Sequence, residues 1–279
     1  MIPTPDQRGD YPMAAPKFPQ LAAVWLGLAL AALPALALPE IHYVERSGPS
    51  VEALPPLPSP GTFPVQLVLD DDSWEGTLGV GGITAEEFLW FNRFESPGIF
   101  TLEEIWVLFP QGQAAVGDDI QLVVYRDTDS DPANGADLLG TFAADVQVVD
   151  GNTFSVYDLT ATPLEVPGGG EVWIGVINRW VVPGVTPITA PASIDTNSDL
   201  GFSGFATWAA GAAPDPPLLA VATSIQNLSD TPGAGTFLIR AFGTSVPTVE
   251  VPVLDHTRLV LFAVLLTLAA FVLFGLRRA

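Results

Sequence analysis

Nine short apolar segments separated by turn residues constrain the fold of this chain more than any other feature. They are QLVL (66–69), FLWFNRF (88–94), TLEEIWVLF (101–109), DIQLVVYR (119–126), LLGTFAADVQVV (138–149), FSVYDL (154–159), EVWIGVINR (171–179), GFSGFATWA (201–209) and TFLIRAFG (236–243). All are rich in Val, Ile, Phe or Trp, and most are bounded by Gly, Pro, Asp or Asn, as strands are. None repeats its apolar residues at helical spacing. TAEE before FLWF has the form of a capping box at Thr84 and Glu87, but the aromatic run that follows is too short to favour a helix. In DIQLVVYR, Ile120, Leu122 and Val124 fall on one face and Gln121, Val123 and Tyr125 on the other, which predicts a half-buried strand. Many short strands without intervening helices predict an all-β fold, a single β-sandwich of jelly-roll type over 65–245.

The two ends are of another kind. Residues 21–37, LAAVWLGLALAALPALA, follow Lys17 and close on Ala35-Leu36-Ala37, the small-residue pattern of a signal-peptidase site, so a signal peptide over 1–37 with cleavage after Ala37 is expected. Met13 is the expected true start, because MAAPKFPQ is purely basic whereas Asp6 and Asp10 offset the charge upstream. Residues 38–64 hold a proline-rich tether. At the other end 259–276 is interrupted only by Thr267 and Gly275 and would reach about 27 Å as a helix, enough to span a bilayer. Arg277 and Arg278 after it should stay cytoplasmic, which places the preceding chain outside.

Val251-Pro252-Val253-Leu254, then the apolar stretch, then Arg277-Arg278 resembles the C-terminal sorting tails of exported bacterial proteins, the PEP-CTERM class and especially its IPTL-CTERM branch. That branch has Thr where this chain has Val253, and a Ser-Glu-Trp-Gly-like stretch where it has Asp255-His256-Thr257-Arg258. The resemblance implies recognition by a membrane transpeptidase of the exosortase type, removal of the tail, and release or transfer to the cell surface. The central region also resembles, more diffusely, the jelly-roll-like sandwich modules of secreted bacterial proteins. That second likeness implies no activity.

Charge and composition exclude several functions. Between 40 and 250 there are 28 acidic and 5 basic side chains, all five of them Arg, for a net charge of −23. Such a surface repels phosphate backbones, so no nucleic-acid partner is expected. The chain has no cysteine, which removes thiol nucleophiles and thiolate zinc sites. Its two histidines, His42 and His256, lie outside the expected domain, so a Ser-His-Asp hydrolase is not expected either. The adjacent acidic pairs Glu86-Glu87, Glu103-Glu104 and Asp118-Asp119 point to opposite faces of a strand and are expected to be solvated surface. We therefore expect a non-enzyme.

Two groups of residues are candidates for binding. In RDTDSDPANGADL, Asp127, Asp129 and Asp131 with Asn134 supply oxygen ligands at alternate positions, as the start of a calcium loop would; a polar turn built on Asx hydrogen bonds accounts for the same residues. The acidic run Asp70-Asp71-Asp72 with Glu75 would share such a site if the fold brought it near. Trp74, Trp180 and Trp208 lie nearest to loops and are the rings to test as sugar-stacking surfaces. The repeated pair Asn92-Arg93 and Asn178-Arg179 suggests that both arginines tie loops at one rim through Asp127 or Asp72. PGGGE at 167–171 reads as a hairpin turn, and LGVGG at 78–82 lacks the spacing of a dinucleotide fingerprint. The leading expectation is a non-catalytic protein of the cell surface or matrix, held transiently in the membrane by its C-terminal helix. The alternative is a surface module that binds extracellular polysaccharide, with calcium as its one candidate cofactor.

Overall fold

The structure, a computed structural model, describes residues 40–46, 54–59, 61–81, 86–131, 134–179, 189–198, 201–246 and 264–265. The expected signal peptide, the expected sorting motif at Val251–Leu254, Arg277, Arg278 and Trp180 lie outside the described residues. Of the expected C-terminal span only Val264 and Leu265 are described, both helical and exposed. Among the described residues no helix is long and apolar enough to cross a membrane.

The domain is all-β, with fifteen strands among the described residues arranged in three antiparallel sheets. The six-stranded sheet runs β13 (Ser224–Asn227), β12 (Ser203–Ala209), β4 (Glu86–Glu95), β10 (Glu171–Asn178), β6 (Asp119–Asp127), β7 (Asp137–Asp145). A second sheet orders β2 (Val65–Leu67), β15 (Ile239–Ser245), β5 (Phe100–Val107) and β8 (Ser155–Asp158), with β9 (Leu164–Val166) also on β5. The third orders β1 (Glu40–Glu45), β3 (Gly76–Gly81), β11 (Ala192–Asp195) and β14 (Thr236–Phe237).

All three sheets share one core, and the arrangement is sandwich-like. The six-stranded sheet contributes Phe88, Trp90, Leu122, Val124, Ile174, Val176 and Phe205. Phe100, Leu102, Ile105, Val107 and Ile239 meet them from the second sheet, and Leu78, Val80, Ile194 and Phe237 from the third. Asn92 lies on this core face of β4 and is fully buried, so each of its polar atoms needs a partner. Its Nδ2 donates to the carbonyls of Phe237 at 2.7 Å and Ile239 at 3.1 Å, and its Oδ1 accepts from the Ser203 hydroxyl at 2.6 Å. One amide thus joins β4 to β12 and to the strands of the facing layer.

The other face of the six-stranded sheet is buried along its centre too, which corrects the expectation of a half-buried β6 at Val123 and Tyr125. Val123 and Tyr125 are as inaccessible as Leu122 and Val124. They pack with Leu89, Phe91, Trp173, Ile177 and Trp208 under Ala213 and Leu219, from the chain that joins β12 to β13. The Tyr125 hydroxyl donates to the Pro217 carbonyl at 3.0 Å. Arg179 donates to the carbonyls of Ala213 at 2.9 Å and Pro214 at 2.8 Å, and Glu87 accepts from the Ala213 amide at 2.6 Å. Arg179 and Glu87 are themselves 3.3 Å apart. A partly exposed pair of this kind contributes about 0–1 kcal/mol, against about 1.5–3 kcal/mol for each large apolar side chain it helps to bury. Apolar burial therefore holds the covering segment, and the ion pair fixes where it lies. Glu87, expected on the solvated surface, is buried because this cover lies over it.

Register also relocates the arginine pairs. Glu171 faces Glu95 and Asn178 faces Phe88 across β10 and β4, so Arg93 and Arg179 sit at opposite ends of the sheet rather than at one rim. Arg93 approaches Glu171 at 3.7 Å and donates to the Gly201 carbonyl, so neither arginine meets Asp127 or Asp72. Arg240 holds that acidic run instead. Fully buried in β15, it binds Asp70 through Nε and Nη2 and reaches Asp72 at 2.6 Å, with its guanidinium 4.5 Å from the Phe154 ring centroid. Burial alone would lower the guanidinium pKa, but the two carboxylates outweigh it and hold it above its usual value.

PGGGE is a turn, as expected, but not a hairpin. It carries the chain from β9 in one layer to β10 in the other, with Gly169 and Gly170 at positive φ. Glu40–Glu45, expected in a tether, pairs with β3. Leu54, also in that stretch, is buried beside Trp74 and Phe154.

Removing Asp70 leaves the buried Arg240 guanidinium with only the half-exposed Asp72 as counter-ion. Asp70→Ala is expected to destabilise the domain by about 3–5 kcal/mol in urea denaturation. Adding Arg240→Met should recover most of that loss.

Candidate functional site

Two cavities meet the candidate residues. The first, about 360 Å³, is lined by Arg46, Trp74, Thr77, Gln111, Gln113 and Asp150 among others. β1 delivers Arg46 at its end, β3 carries Thr77, and the turns after β5 and β7 supply the amides and the carboxylate. Trp74 is buried, its indole donating to the Gly151 carbonyl at 2.6 Å, and the Arg46 guanidinium lies 4.3 Å from its ring centroid. Two polar atoms here, Arg46 Nη1 and Thr77 Oγ1, are buried without a hydrogen-bond partner. Gln113 is anchored through its oxygen, which accepts from the Ala190 amide at 2.8 Å.

Asp150 lines this cavity from an exposed turn. Its carboxylate accepts from the amides of Asn152 at 2.8 Å and Thr153 at 2.7 Å and from the Thr153 hydroxyl at 2.8 Å. Partial burial pulls its pKa up, but these bonds outweigh burial and hold the carboxyl below its usual range.

The second cavity, about 240 Å³, lies at the turn after β6, where Asp127, Asp129 and Asn134 were expected to act together. The structure does bring these three to one place, with Asp137 and Ala220 alongside. Asp127 is 3% exposed. Its Oδ1 accepts from the amides of Asp129 and Ser130, both at 3.0 Å, while Oδ2 has no partner. Burial, followed by the neighbouring Asp129 carboxyl, raises the Asp127 pKa. Asp129 is lowered by the Asp131 amide at 3.1 Å and the Asn134 side-chain amide at 2.9 Å. Asp131 is exposed and does not line the cavity. The expected turn geometry is present as well, with Ser130 and Gly135 at positive φ. Among the described residues no three acidic or imidazole side chains form a group that could hold a metal. The acidic run at Asp70–Asp72 is engaged by Arg240 and forms no part of this cavity.

Of the tryptophans nearest to loops, Trp208 is 1% exposed and belongs to the buried outer face of the six-stranded sheet. Trp74 lines a cavity but shows little of its ring to solvent. Trp106 is only partly buried, and its indole donates to Glu104 at 2.8 Å. The partners of Trp74 escaped the sequence reading because Arg46, Thr77, Gln111 and Asp150 come from four separate segments that no local pattern links. Comparison with protein-family models, curated proteins and solved structures returned no match to this chain.

The bonds to Asp150 make a pH prediction. A carboxyl whose folded pKa is depressed contributes stability that is present above its unfolded pKa and is lost as pH falls through the folded value. Asp150→Ala should therefore lower the melting temperature at neutral pH, and the difference from the parent should vanish at pH values below the ordinary carboxylate range. Thermal melts across that range check this.

Proposed function

We propose that this chain is a non-catalytic, exported protein of the cell surface or extracellular matrix, built on a single jelly-roll-like sandwich. In this reading 259–276 holds it transiently in the membrane, and an exosortase-type enzyme acts on Val251, Pro252, Val253 and Leu254 with the basic pair Arg277-Arg278 behind the span. The observation that carries the reading is the 18-residue apolar stretch 259–276 closed by two arginines, behind a region of net charge −23. Two features of the fold support it. Strands distant in sequence lie side by side, β4 between β12 and β10 and β15 between β2 and β5, as layered Greek-key connections require. Arg93, Arg179 and Arg240 and the carboxylates they meet are engaged in holding strands and loops together.

The test is cell fractionation of the producing organism with mass spectrometry of both termini. The expected product begins at Leu38, lacks 259–279 and is recovered at the surface or in the medium. Recovery of the intact chain from the cytosol would refute the proposal.

A second reading, binding of extracellular polysaccharide, draws support from the Trp74 cavity. Two side-chain amides, a guanidinium and a hydroxyl around about 360 Å³ are groups that hydrogen-bond a sugar, with the buried Trp74 ring backing the guanidinium. Thr77→Val and Gln111→Ala should each weaken retention on an immobilised polysaccharide at least several-fold while leaving the melting temperature nearly unchanged. A parent protein that no glycan surface retains would eliminate this reading.

A further inference from the structure

We propose that the turn after β6 binds a calcium ion between the carboxylates of Asp127 and Asp129, with Asn134 supplying its side-chain oxygen and water completing the shell. The argument starts from Asp127 Oδ2. A buried carboxylate oxygen without a donor is costly, because water is excluded and nothing in the protein replaces it. Asp129 adjoins the same carboxyl, and Asp137 lines the same cavity, so negative charge accumulates there. Arg126 is the cation at this cavity, and it is turned to other partners. Its guanidinium donates to the carbonyls of Gly168 at 2.7 Å and Gly169 at 3.4 Å.

The missing partner is therefore positive and small enough for about 240 Å³. A proton would satisfy Oδ2 and leave the remaining charge unanswered, whereas a divalent ion answers both. The candidate donors are all oxygens, which suits a hard cation and not zinc or copper. The backbone of the turn is irregular, with Ser130 in the left-handed region, and calcium tolerates such a shell better than magnesium, which demands a near-ideal octahedron. Among the described residues no group of three carboxylates closes on one point, so affinity should sit in the weak range of extracellular calcium modules, a Kd of about 0.1–1 mM. Ala220, from the segment covering the outer face, lines the same cavity, and Gly135 packs against Leu219. The ion would therefore stiffen the junction between the turn and the cover.

The test uses the full chain, stripped with a chelator and titrated with calcium chloride at constant ionic strength. Calorimetry should give one site in the range above, and the melting temperature should rise by roughly 3–11 °C at about 10 mM calcium. Magnesium should give less than half of that rise. Asp127→Asn and Asp129→Asn should abolish both heat and shift while keeping the far-UV spectrum of a β protein. A parent chain that neither melts higher nor releases or absorbs heat with calcium would overturn the proposal. So would an equal response to magnesium, or a normal response in Asp127→Asn. Should that variant not fold, Asn134→Ala, at an exposed position, decides the matter: calcium affinity must fall several-fold, and an unchanged Kd overturns the proposal.

Discussion

A sheet buried on both faces governs this structure. The centres of β6 and β10 are buried on both sides, so the six-stranded sheet is covered twice there, by the other two sheets on one face and by the β12–β13 connection on the other. Paired sheets are the usual answer to the first requirement. An irregular segment answering the second is less common, because its backbone groups must also be satisfied. Here Tyr125, Arg179 and Glu87 satisfy several of them from the sheet beneath. The hydrogen bonds and the apolar burial thus act on the same few residues, burial holding the segment and the polar bonds fixing its position.

Charge has a structural role throughout. All five basic side chains between 40 and 250 are arginines, and each is engaged: Arg46 over Trp74, Arg93 with Glu171, Arg126 on the glycine turn, Arg179 on the cover and Arg240 on Asp70. The planar, five-donor guanidinium suits these positions, since most of them require two bonds in fixed directions or stacking on a ring. Some of the carboxylates left over close turns by accepting neighbouring amides, as Asp150 and Asp158 do.

All nine apolar segments picked out in the sequence contain strands, because alternating or continuous β-branched and aromatic residues leave few other choices. The strands that went unrecognised carry weaker patterns. β3 reads GTLGVG, and its glycines look like a loop until the fold is known. A Cβ on Gly76 would strike the Tyr43 ring, and one on Gly79 the Thr189 carbonyl, so close approach and not flexibility explains them. β9 and β11 are only three and four residues long. The double burial of β6 was hidden because Gln121 and Tyr125 look like a wet face, whereas a distant segment covers them. The Asp127 turn was visible as spacing, but the orphaned oxygen depends on burial that spacing does not record. The arginine partners depend on register between strands some 80 residues apart, which no local pattern carries.

The cover over the six-stranded sheet gives the molecule an optical property of its own. Trp173 and Trp208 lie buried in the cluster beneath it, and Trp173 is stacked on Phe91 at 4.8 Å. Lifting the cover would hydrate both indoles and shift their emission to longer wavelength, while Trp90, sealed between the layers, would change only on global unfolding. The chain therefore carries built-in fluorophores at two depths, able to separate a local loosening of its exterior from the collapse of its centre.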